Sequence, residues 1–185
     1  MKTRLFIFVA VFGIAAIAIG WVYESNLSPK QEKKQSTIPD DIDYFLTNMT
    51  YRMLNAEGEL DFQLHSPRLE HYPHNDVSSI ELPSMQVYTE ADPWQIDALS
   101  GEIEHGDETL RLRDKVVMQK SGARPMQVFT DDILFEPNRN LVTAKTDILM
   151  LDHEARIEAE QAQFDLSGKV YKFSNARTVY HREDS

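Results

Sequence analysis

The side chains that could catalyse a reaction or bind a metal are few in this sequence and poorly arranged. His71 and His74 have the spacing of a metal-ligand pair, but Pro73 between them indicates an exposed turn. Asp131 and Asp132 form a carboxylate pair, yet solvated charges in an acidic chain explain them more simply than acid–base chemistry. The chain has no cysteine, so it has neither a thiolate metal site nor a disulfide framework.

Sequence signatures of the common enzyme classes are also missing. There is no GxSxG, HExxH or P-loop motif, and no two glycines have the spacing that GxGxxG requires. The formal net charge of −11 argues against nucleic acid, whose phosphates an acidic chain would repel. We therefore predict a protein that is not an enzyme, has no cofactor, and does not hold its ligand chiefly by positive charge.

The N-terminus has the composition of a membrane anchor. Residues 5–22 are uncharged and would extend about 27 Å as a helix, close to the apolar thickness of a bilayer. Lys2 and Arg4 precede them, so the positive-inside rule places residues 1–4 in the cytoplasm and the rest of the chain across the membrane. Tyr23 follows this segment, and its aromatic ring suits the membrane interface. We therefore predict one transmembrane helix over residues 5–23.

Two further segments follow the anchor. Residues 24–41 are polar and contain two prolines, which indicates a flexible tether. Residues 42–185 form the predicted domain.

A cleaved signal peptide is the alternative to the anchor, because AIA at 16–18 resembles a cleavage site. In either case the domain lies outside the cytoplasm.

The pattern of residues 42–185 is typical of an all-β domain. Short apolar runs alternate with turn residues, for example residues 55–58 and 137–140. Many short strands with this spacing predict a barrel, sandwich or roll. The stretch 155–173 contains helix-forming residues but also alternates like a strand, and its own residues do not decide between the two.

An internal repeat resolves this ambiguity. Four windows of nine residues align without gaps from residues 62, 96, 128 and 157, and the first and third resist a helical interpretation. Residues 155–173 are therefore predicted to be strand, turn and strand. The inward positions of each window are the first, third and eighth, and this change of parity predicts a bulge or bend in mid-strand. Small residues at the third position of three windows predict an apolar groove rather than a packed core.

Three stretches of the domain carry a family resemblance: NAEGELDFQLHSPRLEHYP (55–73), WQIDALSGEIEHGDETLRLRDKVVM (94–118) and AQFDLSGKVYKFSNARTVY (162–180). With the short cytoplasmic start, the single anchor and the tether, they resemble the LptC family of lipopolysaccharide-transport proteins. The resemblance implies a twisted, open β-jelly roll of two antiparallel sheets with an apolar slot. It also implies an inner-membrane location with the domain in the periplasm.

The resemblance further implies the ligand and the partners. Such a protein sits with an inner-membrane ABC transporter, through its anchor and the N-terminal part of its domain, and receives the lipopolysaccharide that the transporter extracts. It passes the lipid to a soluble periplasmic bridge protein of the same fold. An acidic domain would hold the acyl chains rather than the anionic headgroup. The predicted lipid-binding residues are then the inward repeat positions: Phe62, Leu64, Leu69, Ile96, Ala98, Ile103, Val128, Thr130, Phe135, Ile157, Ala159 and Phe164.

The C-terminal strand is the predicted contact with the bridge protein. Its backbone would be unpaired at an open edge, and strand addition by a partner would supply the missing hydrogen bonds. The predicted contact residues are Val170, Phe173, Arg177, Val179 and Tyr180, of which Val170, Phe173 and Val179 are expected to face inward. Two other interpretations stay open: a last strand that merely closes the domain, and a membrane-tethered scaffold whose packed β-core binds no lipid.

Overall fold

The computed structural model describes residues 41–89, 92–122, 124–167 and 170–180. The predicted cytoplasmic start, the transmembrane helix and nearly all of the tether lie outside these residues, so they stay predictions. Among the residues that are described, no helix is long and apolar enough to cross a membrane.

The described part of the chain is almost entirely β-structure, with one 3₁₀ turn at Pro137–Arg139. In chain order the strands are β1 (Tyr44–Leu54), β2 (Leu60–Tyr72), β3 (Val77–Glu81), β4 (Ser84–Val87), β5 (Trp94–Asp97), β6 (Ser100–Glu104), β7 (Thr109–Lys120), β8 (Met126–Glu136), β9 (Leu141–Ala144), β10 (Ile148–Asp152), β11 (Ala155–Ala159), β12 (Gln161–Asp165), β13 (Val170–Ser174) and β14 (Arg177–Tyr180). The predicted all-β class is confirmed, and the ambiguous stretch 155–173 is strand, not helix.

The strands follow one another as an antiparallel meander. Each of the pairs β3–β4, β5–β6, β9–β10, β11–β12 and β13–β14 is one bent strand that is interrupted near its middle, so the chain makes nine successive passes. Each pass pairs with the one before it and the one after it. The ladder is continuous, so one bent sheet takes the place of the two separate sheets that the resemblance implied.

The bends fold this sheet into two layers. Layer A consists of residues 44–47, 68–72, 109–113 and 132–136 with β3, β6, β9, β12 and β13. Layer B consists of residues 49–54, 60–65, 116–120 and 126–130 with β4, β5, β10, β11 and β14. The predicted mid-strand change of direction is therefore confirmed in all four repeat windows.

The residues at several bends favour the change of direction. Asn48, Asp114, Lys115 and Asn175 adopt positive φ angles of 51°, 64°, 55° and 52°. Asparagine and aspartate tolerate this left-handed conformation better than most residues. In β7 the two such residues also shift the register against β8. The shift explains why inward side chains change from odd to even positions along a pass.

The two layers enclose a hydrophobic core. Phe62 of layer B meets Phe135 of layer A edge to face with ring centroids 5.7 Å apart, and Trp94 of layer B meets Tyr171 of layer A at 6.2 Å. One inward row of layer A, which we call the long row, crosses all nine passes. It consists of Tyr44, His71, Ser78, Ile103, Leu110, Phe135, Val142, Phe164 and Tyr171.

The last pass, β13 and β14, forms one edge of the sheet. Phe173 faces inward as expected, but Val170 and Val179 lie on the outer face and are 51% and 45% exposed. Their expected inward orientation is wrong. The register pairs the buried Phe164 with Tyr171, so the inward positions of β13 start one residue later than Val170.

Candidate functional site

A chamber opens between the two layers at the β1 edge of the domain, and we call it the slot chamber. Its volume is about 370 Å³, toward the lower end of the range of about 300–1,000 Å³ for small-molecule pockets. Most of its lining is apolar: Tyr44, Leu46, Met49, Tyr51, Met53, Phe62, Leu64, Leu69, Ile103, Leu110 and Pro137. The other lining residues are Ser78, Glu104, His105, Glu108 and Thr109.

Strand alternation produces the apolar wall of the slot chamber. Phe62 and Leu64 are buried and line it, whereas Gln63 between them lies on the outer face and accepts a hydrogen bond of 2.9 Å from Arg52 Nε. Tyr51 of β1 pairs with Leu64 and so faces the same way. Among the described strands β1 has a neighbour on one side only. Tyr51 therefore stays 47% exposed, and the chamber is open to solvent at this edge.

The slot chamber ends at Phe135. The long row lines it through Ile103 and Leu110, and Phe135 is the next residue in that row. Phe135 does not line the chamber: it is fully buried, pairs with Leu110 of layer A and contacts Phe62 of layer B, so the two walls meet directly behind the lining residues. Beyond it, Val142 is also fully buried, and the space between the layers is filled by core side chains.

A larger cavity of about 850 Å³ lies where the C-terminal passes bend. Its apolar lining includes Val117, Phe129 and Leu149, but charged side chains surround it: Lys115, Asp131, Asp147, Glu158, Glu160 and Arg177. Removing such charges from water is costly. The smaller slot chamber is therefore the better candidate for an apolar ligand.

The predicted lipid-binding residues fall into three groups. Phe62, Leu64, Leu69 and Ile103 line the slot chamber. Thr130 and Ala159 line the larger cavity. Ile96, Ala98, Val128, Phe135, Ile157 and Phe164 line neither, and all of these except the half-buried Ile157 are buried. Contact with lipid stays a prediction for every group, and for the third group it requires the two layers to separate.

The wall that β1 contributes to the chamber was not predicted. Its residues precede the first repeat window, so the repeat could not reveal them. The alternation of Tyr51 and Met53, just before the predicted hairpin turn at residues 55–58, is the signal that could have identified this wall.

A buried histidine joins the start of β1 to the end of β2 beside the chamber. His71 is 8% exposed, and its Nδ1 lies 2.7 Å from Asp43 Oδ1 and its Nε2 3.3 Å from Asp76 Oδ1. The ring of Tyr44 stacks on it with centroids 4.6 Å apart. His71 was interpreted as part of an exposed turn, and that interpretation is wrong because β2 continues through it. His74, which follows the strand, is exposed as expected.

The geometry around His71 favours its charged form. Carboxylate oxygens only accept hydrogen bonds, so both ring nitrogens can donate only when the ring is protonated. The hydrogen bond to Asp43 raises the pKa of His71 above its ordinary value, against the opposing effect of burial, and Asp76 adds to the increase. The same hydrogen bond lowers the pKa of Asp43.

Ser78 and His105 resemble the nucleophile and base of a hydrolase. Ser78 Oγ lies 2.9 Å from His105 Nε2, and both residues line the slot chamber. However, Ser78 is fully buried in β3, whose backbone pairs with β2 on one side and β6 on the other. Acyl transfer also needs backbone donors for the oxyanion, and these ladders occupy the neighbouring amides. We therefore assign the pair a structural role.

The predicted partner-contact residues all lie on the two edge strands. Val170, Arg177, Val179 and Tyr180 are exposed, and Phe173 packs edge to face against the buried Phe164. No other described residue covers these exposed side chains, and the role of the edge in partner binding stays a prediction.

Comparison with known proteins bears on both the sequence and the fold. A family model described as "Lipopolysaccharide-assembly, LptC-related" matches residues 8–181. The fold is similar to the crystal structure of LptH from Pseudomonas aeruginosa, described as the LptA homologous periplasmic component of the conserved lipopolysaccharide transport device. The TM-score is 0.52 at 8% identity, over 66% of this chain and 95% of that one, so this likeness shows the fold alone. No curated protein matches the sequence.

Proposed function

Because this chain belongs to the LptC-related family of lipopolysaccharide-assembly proteins, we propose that it holds an acyl chain of lipopolysaccharide in the slot chamber during transport to the outer membrane. It passes the lipid from an inner-membrane ABC transporter to a periplasmic bridge protein. Residues 5–23 anchor it in the inner membrane, with the domain in the periplasm. The family consists of transport components, and we assign no catalytic activity.

The observation that carries this proposal is an apolar chamber that opens at a sheet edge. Leu46 and Tyr51 line the chamber and are still 45% and 47% exposed, so apolar surface faces solvent at its mouth. Exposed apolar surface that leads into a groove is typical of a binding site. Each methylene that enters contributes about 0.8 kcal/mol, so a chain of about ten methylenes gains about 8 kcal/mol before the costs of binding.

The charge of the domain supports acyl-chain binding rather than headgroup binding. The chain has a net charge of −11, and Glu104 and Glu108 are among the residues that line the slot chamber. An anionic headgroup would be repelled there. The headgroup therefore stays outside the chamber while the acyl chain enters it.

Site-specific photo-crosslinking tests the proposal. A crosslinkable residue at Phe62 faces the chamber, whereas one at the adjacent Gln63 faces outward, so the two variants form a matched pair on one strand. In membranes that contain the transporter and lipopolysaccharide, we expect lipid adducts at Phe62 and few at Gln63 or at Asp97, a second outward position. Equal labelling at Phe62 and Gln63 would contradict binding in the chamber.

A scaffold without a lipid ligand is the second candidate. It is favoured by the packed centre of the domain, where Ile96, Val128 and Phe164 are fully buried. Under that function no position would be labelled, including Phe62. The same crosslinking experiment therefore distinguishes the two.

The bridge protein pairs with the C-terminal edge. β14 pairs with β11 on one side and has no strand on its other side within the part of the chain that the structure describes. Strand addition by a partner would satisfy the unpaired backbone and continue the sheet into the next protein.

Two proline variants test this pairing. Neighbouring residues of an antiparallel strand direct their N–H groups to opposite sides, so one of Thr178 and Val179 donates to β11 and the other points away from the sheet. We expect one of the variants Thr178→Pro and Val179→Pro to keep native stability but lose binding to the bridge protein, because proline removes only the outward donor. Undiminished binding by the stable variant would show that this edge is not the contact.

A further inference from the structure

Methionine is confined to one of the two walls of the slot. Six of the seven methionines lie in the described residues, and all six are in layer B: Met49, Met53, Met85, Met118, Met126 and Met150. Each belongs to the core or packs against it. The described residues of layer A contain no methionine, and their inward side chains include Ile80, Ile133 and Phe135.

Three of the methionines alternate along one inward row of layer B, which we call the methionine row. Cross-strand pairs connect Tyr51, Leu64, Met85, Ile96, Met118, Val128, Met150, Ile157 and Thr178 in this order. The first two line the slot chamber, and the last lies on the edge strand β14. The row therefore runs from the open chamber to the opposite edge of the domain.

The two walls differ in how easily they can rearrange. Methionine is unbranched and has a flexible thioether, so it repacks around a new neighbour at low cost. Layer B also contains β-branched residues such as Ile96 and Val128, but methionines lie between them in its row. The inward side chains of layer A are small, branched or aromatic, and the branched and aromatic ones have fewer accessible rotamers than methionine. Met85 and Met118 are fully buried, so a lipid that moves past the chamber must displace side chains. Layer B, which contains the methionines, is therefore the wall whose side chains can move aside.

We propose that acyl chains advance from the slot chamber along the methionine row, while layer A serves as the rigid opposite wall. The inference rests on the proposed function and specifies the path that the lipid takes. Filling the core gives no physical reason to confine methionine to one layer, since the two walls enclose the same space.

Methyl NMR on the full-length chain can follow this path. The chain is labelled at methionine and isoleucine methyl groups, placed in phospholipid nanodiscs and titrated with purified lipopolysaccharide. We expect the chamber signals of Met49 and Met53 to shift, and those of Met85 and Met118 to shift with them. The signal of Ile80, which is fully buried in layer A, should shift much less.

The outcomes separate the path from the function. Shifts at Met49 and Met53 without shifts at Met85 and Met118 would overturn the path and leave chamber binding intact. If no methyl signal shifts, including those of Met49 and Met53, the proposed function itself fails.

A pair of stiffening variants gives an independent test. Met118→Ile introduces a β-branched side chain into the methionine row, and Leu112→Ile makes the same change on the opposite wall, where Leu112 is also fully buried. With a crosslinker at Ile157, beyond Met118 in the row, Met118→Ile should reduce lipid labelling severalfold and Leu112→Ile should not. Labelling at Phe62 should persist in both. An equal effect of the two variants would contradict the proposed path.

Discussion

Replacing Gly101 by alanine should force neighbouring strands of layer A apart. Gly101 of β6 lies between Ile80 of β3 and Leu112 of β7 in one inward row. A Cβ atom there would lie 2.9 Å from the carbonyl oxygen of Arg111, 2.9 Å from Leu112 Cδ2 and 3.0 Å from Ile80 Cγ1. Carbon atoms normally pack at about 3.5–4.0 Å. The two side-chain atoms can move aside, but the Arg111 carbonyl is part of the backbone of β7.

The size of the effect follows from two opposing terms. Overpacking of this kind costs about 1–3 kcal/mol, and the reduced freedom of the unfolded chain returns about 0.4–1 kcal/mol. A net loss of about 1–2 kcal/mol lowers the unfolding midpoint of a chain of this size by about 2–8 °C. Thermal unfolding followed by the β-sheet signal in circular dichroism measures it.

Gly106→Ala is the matched control, because a Cβ at Gly106 meets no atom within 4 Å. Only the reduced freedom of the unfolded chain applies to it, so its stability should rise by about 0.4–1 kcal/mol. If Gly101→Ala proves as stable as Gly106→Ala, the strand spacing around Gly101 is looser than the contacts require, and the reasoning from close packing is refuted.

Two further predictions concern the mouth and the end of the slot chamber. The raised pKa of His71 stabilises the fold fully below its unfolded pKa of about 6.5, and this contribution is lost as the pH rises through the higher folded value. In urea unfolding from about pH 6 to about pH 8, His71→Gln should flatten the decline in stability, and an unchanged decline would contradict this role of His71. Phe135→Ala and Phe164→Ala should each cost about 3–5 kcal/mol because both rings are fully buried. Only Phe135→Ala, which removes the ring directly behind the lining residue Phe62, should strengthen the binding of longer fatty acids in a fluorescence displacement assay, and equal binding by the two variants would show that Phe135 does not limit the chamber.

Both the mid-strand bends and the faces of β13 could be predicted from sequence, although the expectation for Val170 did not use the pattern that fixes its face. Burial of apolar side chains fixes which face of a strand points inward, so the spacing within the windows that begin at Phe62 and Ile157 already contained the change of parity. The alternation of Tyr171 and Phe173 with Lys172 already indicates the inner face of β13 that the structure shows. Val170 and Phe173 are three residues apart, so one regular strand cannot direct both inward, and the expectation for Val170 disregarded this spacing.

The internal repeat could not predict where the slot chamber lies. Phe62 and Phe135 are both inward positions of the repeat, yet Phe62 lines the chamber and Phe135 is buried behind its lining. The difference arises from their surroundings, since β2 is one strand from the sheet edge and β8 lies in the interior of the sheet. Similarly, His71 meets Asp43 across 28 residues of sequence, and only the register of β1 against β2 brings them together.

A closed core and a lipid path are compatible if the path exists only while it is occupied. Exposing an empty apolar groove along the whole domain would invite aggregation, and the fully buried side chains between the chamber and the C-terminal edge prevent that exposure. An entering alkyl chain replaces the contacts that Met85 and Met118 lose when they move, so much of the cost of displacing them is offset by the burial of the lipid itself. Each segment of the alkyl chain would then bind with a free energy only slightly more favourable than that of the side-chain contacts that it replaces. Under the proposed function, that near balance would permit release to the next protein and would leave the direction of movement to the transporter.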